Sequence, residues 1–129
     1  MAPKRILIIE DDLSVIASYL AIFETLHMDF IPLVATSYET AERMLLCEKV
    51  DLMILDLVLP DVTASEMLTG LRRRYPCVPI LIVTGFPEEL DRVKGIAAGI
   101  VVAGSFTKPF SPEVLCRTIE ECISDQPRQ

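Results

Sequence analysis

Four places in the chain bring together residue types that can handle a phosphoryl group. Glu10-Asp11-Asp12 follows the apolar run Ile6-Leu7-Ile8-Ile9, and Asp56 follows Leu52-Met53-Ile54-Leu55. Thr84-Gly85 closes an apolar run over 78–83, and Lys108-Pro109 stands just beyond another that ends at Phe106. Carboxylates crowded together without compensation repel, so at least one pKa rises or a cation is demanded. Hard oxygen donors in this number suit Mg²⁺, which takes a few carboxylates and keeps waters for an incoming phosphate. A carboxylate nucleophile, a metal bridging oxygens, a hydroxyl and an ammonium are the groups wanted around phosphoryl transfer. Each has an ordinary reading when taken alone: a polar loop for the acid pair, a helix cap for Asp56, a strand-end hydroxyl for Thr84, a surface charge for Lys108. Their joint occurrence, each at the end of an apolar run, outweighs those readings.

For these groups to meet, the elements carrying them must share one edge. Segments 6–9, 30–34, 52–55, 78–83 and 100–106 are short apolar runs rich in β-branched residues. Runs without polar alternation suit strands buried on both faces of a parallel sheet. Helical patterns fill the gaps. Ile16, Tyr19, Leu20, Phe23 and Leu26 recur at helical spacing, and Thr36 with Glu39 and Thr63 with Glu66 each match the S/T-x-x-E capping box. Pro87 and Pro112, followed by Glu88 and Glu89 or by Glu113, stand where a first helical turn would begin. Strict β-α alternation with right-handed crossovers predicts an α/β fold, a doubly wound five-stranded parallel sheet flanked by five helices. Such sheets bind ligands at the C-terminal strand ends, near the point where strand order reverses.

At 129 residues the chain has the size of one domain, 1–129 with a core over about 4–124, and is short for this unit plus a separate output module. The net charge of −7 argues against a surface that neutralises nucleic-acid phosphates. The one basic run, Arg72-Arg73-Arg74, reads as the last turn of a helix, where cations complement the dipole. Cys47, Cys77, Cys116 and Cys122 contain no C-x-x-C pair, and His27 cannot complete a zinc set with them. The cysteines are expected to be small apolar core residues, and a reduced, cytoplasmic location is expected. No cationic segment with a following apolar stretch and cleavage site opens the chain, and its longest nearly uncharged run is too short to span a bilayer.

The segments Ile6-Leu7-Ile8-Ile9-Glu10-Asp11-Asp12, Asp56-Leu57-Val58-Leu59-Pro60-Asp61, Val83-Thr84-Gly85 and Phe106-Thr107-Lys108-Pro109-Phe110, in this order, resemble the receiver family of two-component signalling. The resemblance covers nearly the whole chain and implies a flavodoxin-like receiver fold. It implies that Asp56 accepts a phosphoryl group, that Asp11 is the main metal-binding acid, and that Glu10 acts mostly through metal-bound water, with Asp12 outside the pair. The third protein ligand would be the backbone carbonyl of Val58. Thr84 resembles the switch hydroxyl and Lys108 the ammonium that meets the phosphoryl oxygens, with a cis Lys108-Pro109 bond. The implied ion is Mg²⁺, with Mn²⁺ as a substitute. The implied partner is a histidine kinase or histidine phosphotransfer protein, and the implied role is a signalling phosphoacceptor that catalyses its own phosphoryl transfer and dephosphorylation, rather than an enzyme acting on other substrates.

Three departures from the family pattern stand out. Ala64 replaces the usual glycine eight residues after the phosphoacceptor, which bears on the loop because alanine tolerates positive φ poorly. Ser105 occupies the usual aromatic position three before Lys108, and Phe106 faces the other side of the strand. The segment between Gly99 and Lys108 is about two residues longer than usual. The departures leave one alternative, a pseudo-receiver acting as a phosphorylation-independent interaction module. A dinucleotide or flavin enzyme is disfavoured because no glycine-rich loop follows the first strand. A haloacid-dehalogenase-like phosphatase is disfavoured because the lone Asp56 on the third strand fits a receiver better than Glu10 with Asp12 fits that pattern. The uncharged stretch 96–104, between fourth helix and fifth strand, reads first as core. If exposed it would serve a homodimer through the fourth helix and fifth strand.

Overall fold

The computed structural model describes residues 3–96 and 104–124. Elements alternate without exception: β1 (Lys4–Ile9), α1 (Leu13–Thr25), β2 (Phe30–Ala35), α2 (Tyr38–Cys47), β3 (Leu52–Leu55), α3 (Ala64–Arg74), β4 (Ile80–Thr84), α4 (Pro87–Ile96), β5 (Gly104–Thr107) and α5 (Pro112–Ser124). The five strands form one parallel sheet in the order β2-β1-β3-β4-β5. Strand order therefore reverses between β1 and β3. Every residue of β3 and β4 is buried, as are the last four of β1, which is why those three read as continuous apolar runs.

Side-chain alternation divides the core in two. Leu7, Ile9, Met53, Leu55, Ile80 and Ile82 face α2, α3 and α4, while Ile6, Ile8, Leu52, Ile54, Leu81 and Val83 face α1 and α5. Each such side chain contributes about 1.5–3 kcal/mol by leaving water, so the three central strands are the best-anchored part of the molecule. Anything attached to their ends inherits that rigidity.

The outer elements depart from the sequence expectation. β2 and β5 are edge strands with partly exposed residues, so the expectation of burial on both faces fails there. Pro32 within β2 is compatible with an edge position. β4 begins at Ile80 rather than 78, because Val78 closes a turn onto the Tyr75 carbonyl and Pro79 follows it. The capping box foreseen at Thr36 and Glu39 does not form. Ser37, one residue later, is the N-cap of α2 and accepts from the Thr40 amide at 3.1 Å, while Glu39 pairs with Arg43. The box at Thr63 and Glu66 forms as expected, and Arg72 to Arg74 occupy the last turn of α3. Ala64 enters α3 as its first residue, and His27 (φ 54°) is the one non-glycine residue with positive φ among those described. Leu20 lies on the outer face of α1. Cys116 alone of the four cysteines is buried: Cys122 is half-buried, and Cys47 and Cys77, at the ends of α2 and in the turn after α3, are exposed. Most of the stretch 96–104, and with it the question of the added residues there, lies outside the described residues. No helix among the described residues is long and apolar enough to cross a membrane.

Candidate functional site

Strand register brings the sequence-separated groups together. Ile9 pairs with Leu55, so Glu10 and Asp56 leave the sheet side by side, and the Asp56 amide donates to the Ile9 carbonyl at 3.1 Å. Thr84 pairs with Thr107, which sets Lys108 one step beyond, with its amide on the Thr84 carbonyl at 2.8 Å. The peptide bond to Pro109 is cis. Phe110 then stacks on buried Tyr19 of α1, ring centroids 5.6 Å apart, pinning the loop that carries the lysine against the helix that follows Glu10.

The Lys108 ammonium donates to Glu10 Oε1 at 2.8 Å and to Asp56 Oδ2 at 3.1 Å. The other Asp56 oxygen accepts from the Val58 amide at 3.1 Å. Both oxygens of the candidate phosphoacceptor are thus oriented. Glu10, Asp56 and Thr84 are buried, whereas Asp11 is exposed. Glu10, Asp11 and Asp56 each offer a carboxylate oxygen, all within 4.8 Å of one another. Two of these carboxylates, Glu10 and Asp56, share one ammonium, and Asp11 adds a third negative charge beside them. Burial pushes the Glu10 carboxyl up to about 7, with the Asp56 charge adding to it, against the hydrogen bond and charge of Lys108. Burial pulls the Lys108 ammonium down, but the hydrogen bonds it donates to Glu10 and Asp56, with their charges, outweigh this and hold the lysine above its ordinary value. A cluster of hard oxygens carrying surplus negative charge is the donor set that Mg²⁺ takes.

Asp12 stands apart from this cluster as expected. It caps α1, its Oδ1 accepting from the Ser14 hydroxyl at 2.7 Å and the Ser14 amide at 2.9 Å, and those donors hold its carboxyl below the usual range. The Thr84 hydroxyl oxygen accepts from the Phe86 amide at 3.2 Å. Ser105 is exposed and Phe106 packs into the core on the α1 and α5 side, as the alternation of the strand requires. Two features were given no function of their own in the sequence reading, one of them Asp61, which closes a motif quoted there. Asp61 reaches across to the start of α2, accepting from the amides of Tyr38 at 3.1 Å and Glu39 at 3.0 Å. Leu13, at the first turn of α1 beside the site, is 72% exposed. An acid after Pro60 signals a turn, but its partner lies more than twenty residues away and no local pattern names it.

The response regulator receiver domain model matches residues 6–120. The chain belongs to the response regulator receiver family. This receiver is 35% identical over 109 residues to the alkaline phosphatase synthesis transcriptional regulatory protein PhoP of Bacillus subtilis, covering 84% of the chain and 44% of the relative. It is 31% identical over 119 residues to the phosphate regulon transcriptional regulatory protein PhoB of Escherichia coli, covering 91% of the chain and 50% of the relative. The receiver thus spans about half or less of the length of these relatives. Among solved structures, a CheY-like receiver domain protein from Methanospirillum hungatei superposes with a TM-score of 0.83 at 25% identity, covering 96% of both chains. The signal receiver domain of an HD domain-containing protein from Pseudomonas fluorescens shares the fold at 17% identity, with a TM-score of 0.84 over 96% of this chain and 97% of that one. The expected family and fold therefore hold: this is a receiver of two-component systems, with five parallel strands and five helices.

Proposed function

We propose that the receiver takes a phosphoryl group from a phosphohistidine donor, a histidine kinase or histidine phosphotransfer protein, onto Asp56, and so switches its protein contacts. The observation that carries this reading is the shared lysine: Lys108 bridges Glu10 and Asp56 in a cluster with more carboxylates than cations. The residues fit Mg²⁺, which Glu10, Asp11, Asp56 and the Val58 carbonyl would hold. When bound, the ion offsets the carboxylate charge and neutralises phosphoryl oxygens.

An Asp56 oxygen attacks phosphorus as the phosphorus-nitrogen bond of the donor breaks; the electron pair returns to the imidazole, which takes up a proton from solvent. The product is an aspartyl phosphate. Lys108, already within hydrogen-bond reach of the nucleophile, follows the charge onto the phosphoryl oxygens. The Thr84 hydroxyl oxygen accepts from the Phe86 amide, and no acceptor among the described residues takes its proton, which can go to a phosphoryl oxygen and draw the loop before α4 with it. Dephosphorylation is attack of water on the same phosphorus, releasing phosphate and the Asp56 carboxylate. A groove of about 500 Å³ between α1 and the loop after β5, lined by Val15, Ile22, Lys108 and Phe110, lies beside the lysine and suits the docking of a donor helix. The whole chain acts as one receiver unit, in the cytoplasm with its donor. The net charge of −7 argues against direct nucleic-acid binding by this chain, and dimerisation through α4 and β5 is the output to be looked for.

The test is mass spectrometry after incubation with acetyl phosphate and Mg²⁺. One phosphoryl adduct is expected on the wild type and none on Asp56→Asn, whose amide is nearly isosteric but a poor nucleophile. Full labelling of Asp56→Asn would overturn the assignment, and absence of any adduct on the wild type would favour the phosphorylation-independent module.

A further inference from the structure

We propose that Asp61 is a positioning residue for the Asp56 site: it ties the loop after β3 to the start of α2 and so holds the Val58 amide against the Asp56 carboxylate. The inference rests on the reading of Asp56 as phosphoacceptor. Leu59-Pro60-Asp61-Val62 is a tight turn closed by an antiparallel bridge between Leu59 and Val62. Pro60 presets φ at the first turn position and leaves Asp61 at the second. Pro60 and Asp61 are both exposed, so packing does not hold the tip of this turn.

What holds it is the pair of bonds from Tyr38 and Glu39, one to each carboxylate oxygen. These amides have no partner inside their helix, and α2 already has a cap of its own in Ser37. The Asp61 contact therefore adds to the loop a fixed point that α2 does not need for its own start. Slight burial works against ionisation of Asp61, but the two amides hold its carboxyl below the usual range, so the anchor is charge-assisted at neutral pH.

The other fixed points frame the consequence. Buried Leu57 and Leu59 set the depth of the loop, Thr63 begins α3 through its capping box, and exposed Val58 lies between the leucines with its amide on Asp56 Oδ1. The leucines stop the loop from lifting; Asp61 stops it from sliding across the sheet edge. Sliding moves the residue that orients the nucleophile and whose carbonyl would join the metal site. Partners that orient metal ligands contribute about 10- to 100-fold to affinity, and one residue further removed the lower end applies.

The experiment compares wild type, Asp61→Ala, Asp61→Asn and Ser37→Ala by hydrogen exchange of the Val58 amide in metal-free protein, Mg²⁺ titration and thermal midpoint. Asp61→Ala is expected to speed Val58 exchange about tenfold, the change that loss of a charge-assisted hydrogen bond supports, and to weaken Mg²⁺ binding by up to about tenfold. Asp61→Asn, which keeps an acceptor oxygen, recovers most of both. Ser37→Ala lowers the midpoint comparably while leaving Val58 exchange and Mg²⁺ affinity at wild-type values. Should Asp61→Ala not fold, Asp61→Ser, too short to reach both amides, is expected to act in the same direction. The proposal is overturned if Asp61→Ala, or Asp61→Ser in its place, matches Ser37→Ala in both exchange and affinity. A wild type that binds no Mg²⁺ defeats the phosphoacceptor reading instead, and the Val58 exchange then still decides whether Asp61 anchors the loop.

Discussion

The two ends of the sheet handle charge in opposite ways. At the N-terminal end, Arg5 of β1 pairs with Glu48, gives its Nε proton to the Lys49 carbonyl at 2.9 Å, and exchanges backbone bonds with Asp51 through the Asp51 carboxylate and amide, each at 2.8 Å. Arg5 and Glu48 keep about a third of their side chains in water, at 32% and 38%. At the C-terminal end, Glu10 and Asp56 are almost wholly buried and share Lys108 with exposed Asp11 close by. The first cluster sets one guanidinium against two carboxylates but stays partly solvated, and water screens what the ion pair leaves over, which keeps its cost and its worth small. The second is buried and left negative, a state that costs stability unless a proton or cation arrives. Charge left uncompensated on a rigid frame is what a protein keeps for chemistry.

The sharpest way to break the contrast is at Asp11. Asp11→Ala should weaken Mg²⁺ binding by about two orders of magnitude in a calorimetric titration; a unit charge 4 Å from a cation is worth roughly 4 kcal/mol per unit of cation charge at an effective dielectric near 20, and exposure trims that. Unchanged affinity would mean that the acid cluster does not hold the ion.

The next effect concerns Glu10 and pH. Its folded pKa of about 7 lies above the ordinary 4.5, so the folded protein binds this proton more tightly than the unfolded chain. The stability this gives is fully present below pH 4.5 and lost as pH rises through 7. Metal-free Glu10→Gln should therefore be more stable than wild type at pH 8, by about 2 kcal/mol, with the gain vanishing near pH 4.5. Wild-type Mg²⁺ affinity should climb across the same window as the cation displaces the proton. Denaturant melts at the two pH values check the first expectation; a pH-independent difference would show that packing, not charge, was altered.

A subtler effect sharpens the picture of the rim. Val58 and Phe86, 40% and 48% exposed, border the site without a side-chain group able to orient water. The aspartyl phosphate should be comparatively long-lived, and Val58→Asn or Phe86→Tyr should shorten its life several-fold in a phosphate-release assay, each tenfold corresponding to about 1.4 kcal/mol of barrier. Slower loss in both variants than in wild type would contradict this. The smallest effect belongs to the other end of the sheet: Arg5→Met should cost less than about 1 kcal/mol and leave Mg²⁺ affinity untouched, as thermal melts and the same titration would show.

Much of this was legible in residue order because the central strands are apolar on both faces and their ends are marked. Ile6 to Ile9, Leu52 to Leu55 and the run closing at Thr84 suited strands buried on both faces, which put Glu10, Asp56 and Thr84 at their C-terminal ends. Capping boxes and prolines are local chemistry, so Thr63, Pro87 and Pro112 were readable as helix starts. Tertiary structure decided whatever depends on which element lies next to which. Strand order made β2 and β5 edges, and of the adjacent hydroxyls at Thr36 and Ser37 it is Ser37 that caps α2, while the Tyr38 and Glu39 amides meet Asp61 from another loop. Register brought Lys108 between two acids 98 and 52 residues away, and burial set the Glu10 carboxyl near 7. Pattern carries short-range geometry; desolvation and long-range pairing exist only once the sheet has closed around them.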